Sequence, residues 1–402
     1  MSRLTVNDVN FENKRVLIRV DFNVPVDNNG RISNDFRIVS SLPSIKKVLS
    51  DGGSVICMSH LGRPKGEGYE AKFSLKPVQQ RLGELLGTPV KFAPDCIGNE
   101  AKDMAAELKP GEVLLLENLR FYKEEKKNDP EFSRKLASLA DAYVNDAFGT
   151  SHRAHASTVG VAKHFDEVVS GLLLEKELTY LKDELEDPER PYTAILGGAK
   201  ISGKIDTIRH LMDKVDNLLI GGGMIFTFYK AMGYGIGKSL LEKDKIDLAK
   251  ELLKEAENSK TRVVLPPDIV TAKAFENDAL STIVDADEIP DGQFGMDIGP
   301  RTVKKFHEII MSSKTLLWNG PMGVFEMPNF AKGTEKICAA VADATEKGAI
   351  SLVGGGDSAA AVNKLGFSDK ISHVSTGGGA SLELISGFTL PAVAEISEKP
   401  GD

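Results

Sequence analysis

Ala349-Ile-Ser-Leu-Val-Gly-Gly-Gly-Asp-Ser-Ala-Ala-Ala361 is the stretch on which the fold class turns. Ile350 to Val353 suit a short buried strand, and the run stops on Gly354, Gly355 and Gly356. Asp357 and Ser358 follow, then the helix-favouring Ala359, Ala360 and Ala361. Strand, glycine turn and helix start in that order leave free backbone N–H groups at the positive end of a helix dipole, a seat for phosphate. A carboxylate beside phosphate needs a cation between them, which makes Asp357 a Mg²⁺ ligand. The competing reading is a plain chain turn with Asp357 capping the helix.

Working outward, the same punctuation recurs. Thr193 to Leu196 runs into Gly197-Gly198, Leu218 to Ile220 into Gly221-Gly-Gly223, and Leu316 to Trp318 into Asn319-Gly320-Pro321. His373 to Thr376 runs into Gly377-Gly-Gly379. Open α/β sheets bind ligands beyond the carboxyl ends of their strands, and glycines at that edge let backbone come close to a ligand. Several such turns in one sheet favour a nucleotide platform. Towards the N-terminus, Arg15-Val-Leu-Ile-Arg-Val-Asp-Phe-Asn-Val-Pro25 opens a second alternation, with Val16, Ile18, Val20 and Phe22 at strand spacing. Helical spacing follows over Asp35 to Asp51, then strand and helix alternate to Phe148, as in a parallel sheet with helices on its faces. Leu172 to Glu186, with leucines at 174, 178, 181 and 185, reads as one amphipathic helix connecting two halves. The expectation is an α/β protein of two doubly wound, Rossmann-like parallel-sheet domains, 1–171 and 189–385, joined by a helix and hinge over 172–188, with a tail over 386–402.

Composition agrees with an ordinary globular chain: 402 residues, 41% hydrophobic and 27% charged, with a net charge of −8. That length favours two domains over one core. Three scattered cysteines, Cys57, Cys96 and Cys338, give neither a disulfide framework nor a metal motif and fit a reducing cytoplasm. No run approaches the ~18 apolar residues of a membrane span. Residues 1–170 carry 24 Lys and Arg against 23 Asp and Glu, and ten of the fourteen arginines. Arginine grips carboxylate and phosphate bidentately, so a small anion is expected in the N-terminal half. An acidic pI near 5.6 and the lack of a basic stripe argue against nucleic acid.

The cations recur at strand ends: Arg37 near a helix start, then His60, Arg63, Arg120 and Arg153. Each alone could be a surface ion-pair partner; together they suggest one basic pocket, with Asp21 and Asn23 receiving hydroxyls or holding the arginines. Gly198-Ala-Lys-Ile-Ser-Gly-Lys204 fits seven positions of a P-loop, but Ile205 stands where a hydroxyl must meet Mg²⁺, so a P-loop is rejected. Lys200 and Lys204 are expected one turn apart on a helix N-terminus, where an anion would offset them. Glu326 reads as a ribose acceptor or a solvated carboxylate. No G-x-G-x-x-G, Ser-His-Asp or H-E-x-x-H pattern occurs.

Val20-Asp-Phe-Asn-Val-Pro25, Ser59-His-Leu-Gly-Arg-Pro64, Leu116-Glu-Asn-Leu-Arg-Phe121, Asp146-Ala-Phe-Gly-Thr-Ser-His-Arg153, Gly197-Gly-Ala-Lys200, Trp318-Asn-Gly-Pro-Met-Gly323, Gly354-Gly-Gly-Asp357 and Ser375-Thr-Gly-Gly-Gly-Ala-Ser381 together resemble the phosphoglycerate kinase family, in order and over essentially the whole chain. The resemblance implies reversible phosphoryl transfer between 1,3-bisphosphoglycerate with Mg-ADP and 3-phosphoglycerate with Mg-ATP. It places the glycerate site on Asp21, Phe22, Asn23, Arg37, His60, Leu61, Gly62, Arg63, Arg120 and Arg153. The nucleotide site falls on Gly197, Lys200, Lys204, Gly221, Gly222, Asn319, Glu326, Gly354, Gly355, Gly356, Asp357 and Ser358, with Mg²⁺ on Asp357. Catalytic roles fall to Arg37, Lys200, Lys204, Gly356 and Gly379, the last in a helix start facing the moving phosphoryl. The resemblance also implies a tail returning to the N-terminal domain and a cytoplasmic monomer. Ser358 stands where many members have threonine, which keeps the hydroxyl. A non-catalytic anion-clamping protein and a kinase for another small acid are the other readings.

Overall fold

A computed structural model describes residues 3–27 and 29–399. Two compact units divide the chain: one runs up to Thr179 and resumes at Thr389, the other is Tyr180–Phe388.

In the first unit, β1 (Arg15–Arg19), β2 (Ser54–Met58), β3 (Val90–Ala93), β4 (Val113–Leu116), β5 (Ala142–Asn145) and β6 (Val168–Ser170) lie in the order β3-β4-β2-β1-β5-β6. Every pairing is parallel. Such sheets are covered on both faces, so their strands read as continuous apolar runs. Leu17 is therefore as fully buried as Val16 and Ile18, and Arg19 is buried with them. The helix Phe36–Ser50 turns Ile38, Leu42, Ile45 and Val48 into the core beside β1 and β2. The chain winds outward from β1 through β2, then returns to the other side of β1 at β5. The carboxyl ends of β1 and β5 thus flank the switch point, where open α/β sheets place ligands.

The second unit holds β7 (Tyr192–Leu196), β8 (Asn217–Ile220), β9 (Gly235–Ile236), β10 (Arg262–Val264), β11 (Asp268–Ala272), β12 (Ser281–Asp285), β13 (Glu288–Ile289), β14 (Phe294–Ile298), β15 (Thr315–Asn319), β16 (Ile350–Gly354) and β17 (His373–Val374). Six of these form a parallel sheet ordered β10-β8-β7-β15-β16-β17. Its switch point lies between β7 and β15. An antiparallel sheet β12-β11-β14 and the short pair β13-β9 are inserted in sequence between β8 and β15. Trp318 is fully buried in the core of this unit and donates from its indole nitrogen to Gly320 O at 2.8 Å.

The expected single helix over Leu172 to Glu186 is interrupted. It is α-helical over Leu172–Leu178, π-helical over Thr179–Asp183 and α-helical again over Glu184–Glu186. A π-turn spends an extra residue per turn and rephases the helix, and Leu174, Leu181 and Leu185 all remain buried. The segment from Thr389 joins the first unit by backbone bonds: Leu4 N donates to Ser397 O at 2.8 Å, and Ser397 N to Val168 O at 2.9 Å. Ahead of Ser397 this segment forms the four-residue helix Pro391–Ala394.

Candidate active site

At the carboxyl end of β1 the chain leaves the sheet as Val20-Asp21-Phe22-Asn23. Asp21 is buried and takes an ion pair from Arg37 at 3.2 Å. Arg37 also donates to Asn23 O at 3.0 Å, so the first turn of its helix is tied to the strand end. Asn23 in turn accepts from Gly62 N at 2.8 Å, which fixes the loop after β2. Arg120, in the short helix following β4, donates to Gly62 O at 2.8 Å. Asn118 orients both pieces: its side chain donates to Leu61 O at 2.8 Å and accepts from Arg120 N at 3.0 Å. With His60 Nδ1 3.8 Å from Asp21 Oδ1 as well, Asp21, Asn23, Arg37, His60, Gly62 and Arg120 are brought together.

Electrostatically this cluster is overloaded with cations. Burial lowers Arg120 to about 10, helped by the charges of Arg19 and Arg153. Burial, then Arg19, Arg120 and Arg37, push His60 well below the usual imidazole range. His155 falls to about 3, through burial and then Arg19, Arg120 and Arg153. Neutral His60 has its Nδ1 3.3 Å from the Arg19 guanidinium, so Nδ1 accepts and Nε2 carries the proton. The buried Arg120 Nε has no hydrogen-bond partner. Groups that repel one another and keep unspent donors are poised for an anion. Arg153 is exposed and donates to His152 Nε2 at 3.0 Å; its charge acts on Arg120 and His155. Arg63 is exposed, with no polar partner among the described residues.

Sequence reasoning missed Arg19, His155 and Glu125. Arg19 donates to Ser157 Oγ at 2.8 Å, and Ser157 donates to the fully buried Glu125 at 2.6 Å. The buried guanidinium is thus tied to its carboxylate through one hydroxyl. An arginine in an otherwise apolar strand is the signal that could have revealed it.

In the second unit the glycine turns do two different jobs. At Gly197 a Cβ would sit 2.1 Å from Pro321 O, and at Gly221 2.5 Å from the Met322 sulfur. These glycines therefore let the β7 and β8 ends close against the Asn319–Gly323 turn. Gly222, with φ +69, would drive a Cβ to 2.4 Å from Gly198 N. Gly354 ends β16, Gly355 precedes the helix with φ +91, and Gly356 opens onto free space. Gly355, not Asp357, is the cap residue of Gly356–Lys364; Asp357 lies in the first helical turn, which removes the capping alternative. Ser358 is fully buried, and its Oγ accepts from Gly320 N at 2.5 Å, so this hydroxyl braces the turn after β15. A second helix, Gly378–Ile385, starts nearby: a Cβ at Gly378 would lie 3.0 Å from Gly356 N. Gly379 is exposed in its first turn.

Lys200 and Lys204 do not share a helix face. Lys200 lies outside regular structure, Ile201–Lys204 form a turn, and the helix begins at Ile205. Glu242 holds this turn: its carboxylate accepts from Ile201 N at 2.7 Å and Ser202 N at 3.2 Å and takes the Ser202 hydroxyl. Lys204 is largely buried and donates to Asn319 O at 3.1 Å and to the Asn319 side-chain oxygen. Burial lowers its ammonium to about 8, with Asp357 acting in the opposite sense. Asn319 Nδ2 is buried without a partner beside Gly355, a second unspent donor.

Next to these groups lies a cavity of about 270 Å³. Gly198, Gly222, Glu326 and Asp357 line it, and so do Leu240, Phe294 and Val324, which no local pattern groups together. An apolar slot beside helix N-termini and a buried lysine suits a planar base with a phosphate tail. Asp357 supplies a hard oxygen donor at the cleft, and Mg²⁺ takes few protein carboxylates when substrate phosphates complete its shell. The residues present fit that ion.

Both units are doubly wound α/β folds, one carrying a cation cluster and the other a glycine-edged cleft. The comparisons narrow the class. Residues 6–388 match the family model described as phosphoglycerate kinase. Proteins named phosphoglycerate kinase from Chloroherpeton thalassium and Prosthecochloris aestuarii are 58% and 56% identical over 397 and 398 residues, covering 99% of this chain and 100% of each relative. Solved phosphoglycerate kinases from Coxiella burnetii and Pyrococcus horikoshii OT3 superpose with TM-scores of 0.86 and 0.85. Their identities are 41% and 34%, with 98% of each chain covered. The chain belongs to the phosphoglycerate kinase family and is a phosphate-transferring enzyme. Among the described residues, no helix is long and apolar enough to cross a membrane.

Proposed function

We propose that the chain transfers phosphoryl reversibly between the acyl phosphate of 1,3-bisphosphoglycerate and the terminal phosphate of ADP, with the glycerate held in the first unit and the nucleotide in the second. The observation that carries this reading is the cation surplus at the end of β1, where Arg19, Arg120 and Arg153 depress one another's neighbours and Arg120 keeps an unspent Nε. A ligand bearing both phosphate and carboxylate answers that surplus. Asp21 and Asn23 would receive its hydroxyl; Phe22, Leu61 and Gly62 would shape the floor; Arg37, His60, Arg63, Arg120 and Arg153 would hold its anionic ends.

An acyl phosphate is already activated and ADP needs no deprotonation, so no strong base is required. Alignment and charge stabilisation suffice. Arg37 and Lys204 are assigned to the transferring phosphoryl, with Lys200 beside the nucleotide phosphates. Backbone N–H groups at Gly356 and Gly379 face the same charge from two helix starts. Gly197, Gly221 and Gly222 keep the turns tight around the cleft, Asn319 Nδ2 offers a donor, and Glu326 would accept ribose hydroxyls. Asp357 would hold Mg²⁺, which when bound offsets nucleotide phosphate charge. Because the two half-sites belong to different compact units, transfer needs both of them, and keeping water from the reacting groups spares the acyl phosphate.

Three buried, unpaired cysteines support a reducing, cytoplasmic setting, and a monomer is the simplest working form. The test is a coupled assay of ATP consumption with 3-phosphoglycerate and Mg²⁺. Turnover is expected with that acid and not with acetate or aspartate; no turnover with 3-phosphoglycerate would overturn the reading.

A further inference from the structure

Glu242 ends a strap that links the apolar cleft to the lysine turn. Lys238 N donates to Gln293 O at 2.7 Å, and Ser239 Oγ accepts from Gly295 N at 2.8 Å, so the strap is anchored on the residues around β14. Leu240 comes next, lines the cleft and keeps 45% of its surface exposed. Two residues on, the Glu242 carboxylate collects the Ile201 and Ser202 amides and the Ser202 hydroxyl, the last at 2.5 Å. Charge-assisted bonds of this kind are the stronger class. The turn they hold closes with Lys204 N on Ile201 O at 2.8 Å and delivers Lys204 Nζ to Asn319. Among the described residues Glu242 makes no ion pair with Lys200 or Lys204, so it orders their backbone while leaving both charges for a ligand.

We propose that Glu242 is a positioning residue for phosphoryl transfer: through the Ile201–Ser202 amides it sets where Lys204 and Lys200 stand, and through the strap it ties that placement to occupancy of the Leu240 wall by a nucleotide base. The proposal rests on the assignment of both lysines to nucleotide phosphates. A residue that merely supports the fold would change stability without distinguishing one substrate from the other.

The test is steady-state kinetics of Glu242→Ala, Glu242→Gln and Lys204→Ala, with MgATP and 3-phosphoglycerate varied separately, alongside thermal unfolding. Misplacing a charge-bearing group by about 1 Å can cost ~10²-fold. Glu242→Ala is expected to lower kcat by about 10–100-fold and raise the KM for MgATP several-fold, with the KM for 3-phosphoglycerate unchanged. Glu242→Gln keeps a carbonyl acceptor for the two amides and should recover most of kcat. Wild-type kinetics in Glu242→Ala, an equal effect on both substrates, or no recovery with glutamine would overturn the proposal. If Lys204→Ala retained full turnover, the lysine assignment itself would fall; a crippled Lys204→Ala beside an unaffected Glu242→Ala would remove the positioning role alone.

Discussion

Lys204 reaches across the end of β7 to Asn319 at the end of β15, donating to its backbone carbonyl at 3.1 Å and to its side-chain oxygen. A largely buried ammonium is thus held by neutral oxygens at the switch point of the sheet, with Asp357 as the carboxylate that favours its charge. Its unusual acidity makes it readable by pH. With the folded value near 8 and the ordinary value at 10.5, the lysine is charged below about 8 and loses its proton above that in the free enzyme. The nucleotide-free enzyme should therefore lose affinity for MgADP as pH rises through 8. Over the same range stability should rise, because the unfolded chain keeps the proton that the folded chain has released. Calorimetric titration and thermal unfolding between pH 7 and about 10 check both, and Lys204→Met should abolish both trends.

Arg37 is held by Asp21 at 3.2 Å and by Asn23 O at 3.0 Å, so its guanidinium is oriented before substrate arrives. Arg37→Ala is expected to lower kcat by ~10²–10³, the usual loss for a transition-state donor. Arg37→Lys should restore only part of it, since a point charge cannot reproduce a planar fork. Kinetics at saturating substrates decide the matter; near-wild-type turnover in Arg37→Ala would refute the role.

Asp146 is completely buried, and its Oδ1 accepts from Leu173 N at 2.9 Å and Leu174 N at 3.2 Å, at the start of the helix Leu172–Leu178. Burial pushes its carboxyl up from 3.8 to about 7. Between those values the folded chain holds a proton that the unfolded chain has lost, so this group's contribution falls as pH rises. Relative to Asp146→Asn, which keeps the acceptor and does not titrate, wild-type stability should drop by up to ~1.4 kcal/mol per pH unit across that window. Paired denaturant melts from pH 4 to about 8 measure the difference directly.

Gly320 adopts φ +102, and a Cβ there would lie 2.3 Å from Gly197 O. Both a strained backbone and an overlap with main chain oppose any side chain. Gly320→Ala is expected to destabilise the second unit by about 2–4 kcal/mol and to weaken MgADP binding at least tenfold. Unfolding by circular dichroism and nucleotide titration would show it.

The alternation of strands and helices was legible because apolar runs and glycine stops mark each element. So were the residues gathered at the β1 end, since Asp21, Asn23, His60 and Arg120 all follow strands directly. Lys200 and Lys204 were misread because local spacing cannot reveal that Glu242, some forty positions away, holds Ile201 and Ser202 in a turn ahead of the helix that begins at Ile205. Arg19 was passed over for another reason: alternation assigns every second residue to solvent, but a parallel sheet covered on both faces has no such side. The apolar slot formed by Leu240, Phe294 and Val324 comes from separate elements, and no stretch of sequence carries it.

The bonds from Leu4 to Ser397 and from Ser397 to Val168 bear on the order of events at the ribosome. The second unit is one uninterrupted length of chain and can form as soon as it emerges. The first unit, although most of it is translated earlier, waits for its closing piece until nearly four hundred residues have been made. A chain released short of Thr389 would thus carry a complete second unit on an incomplete first one.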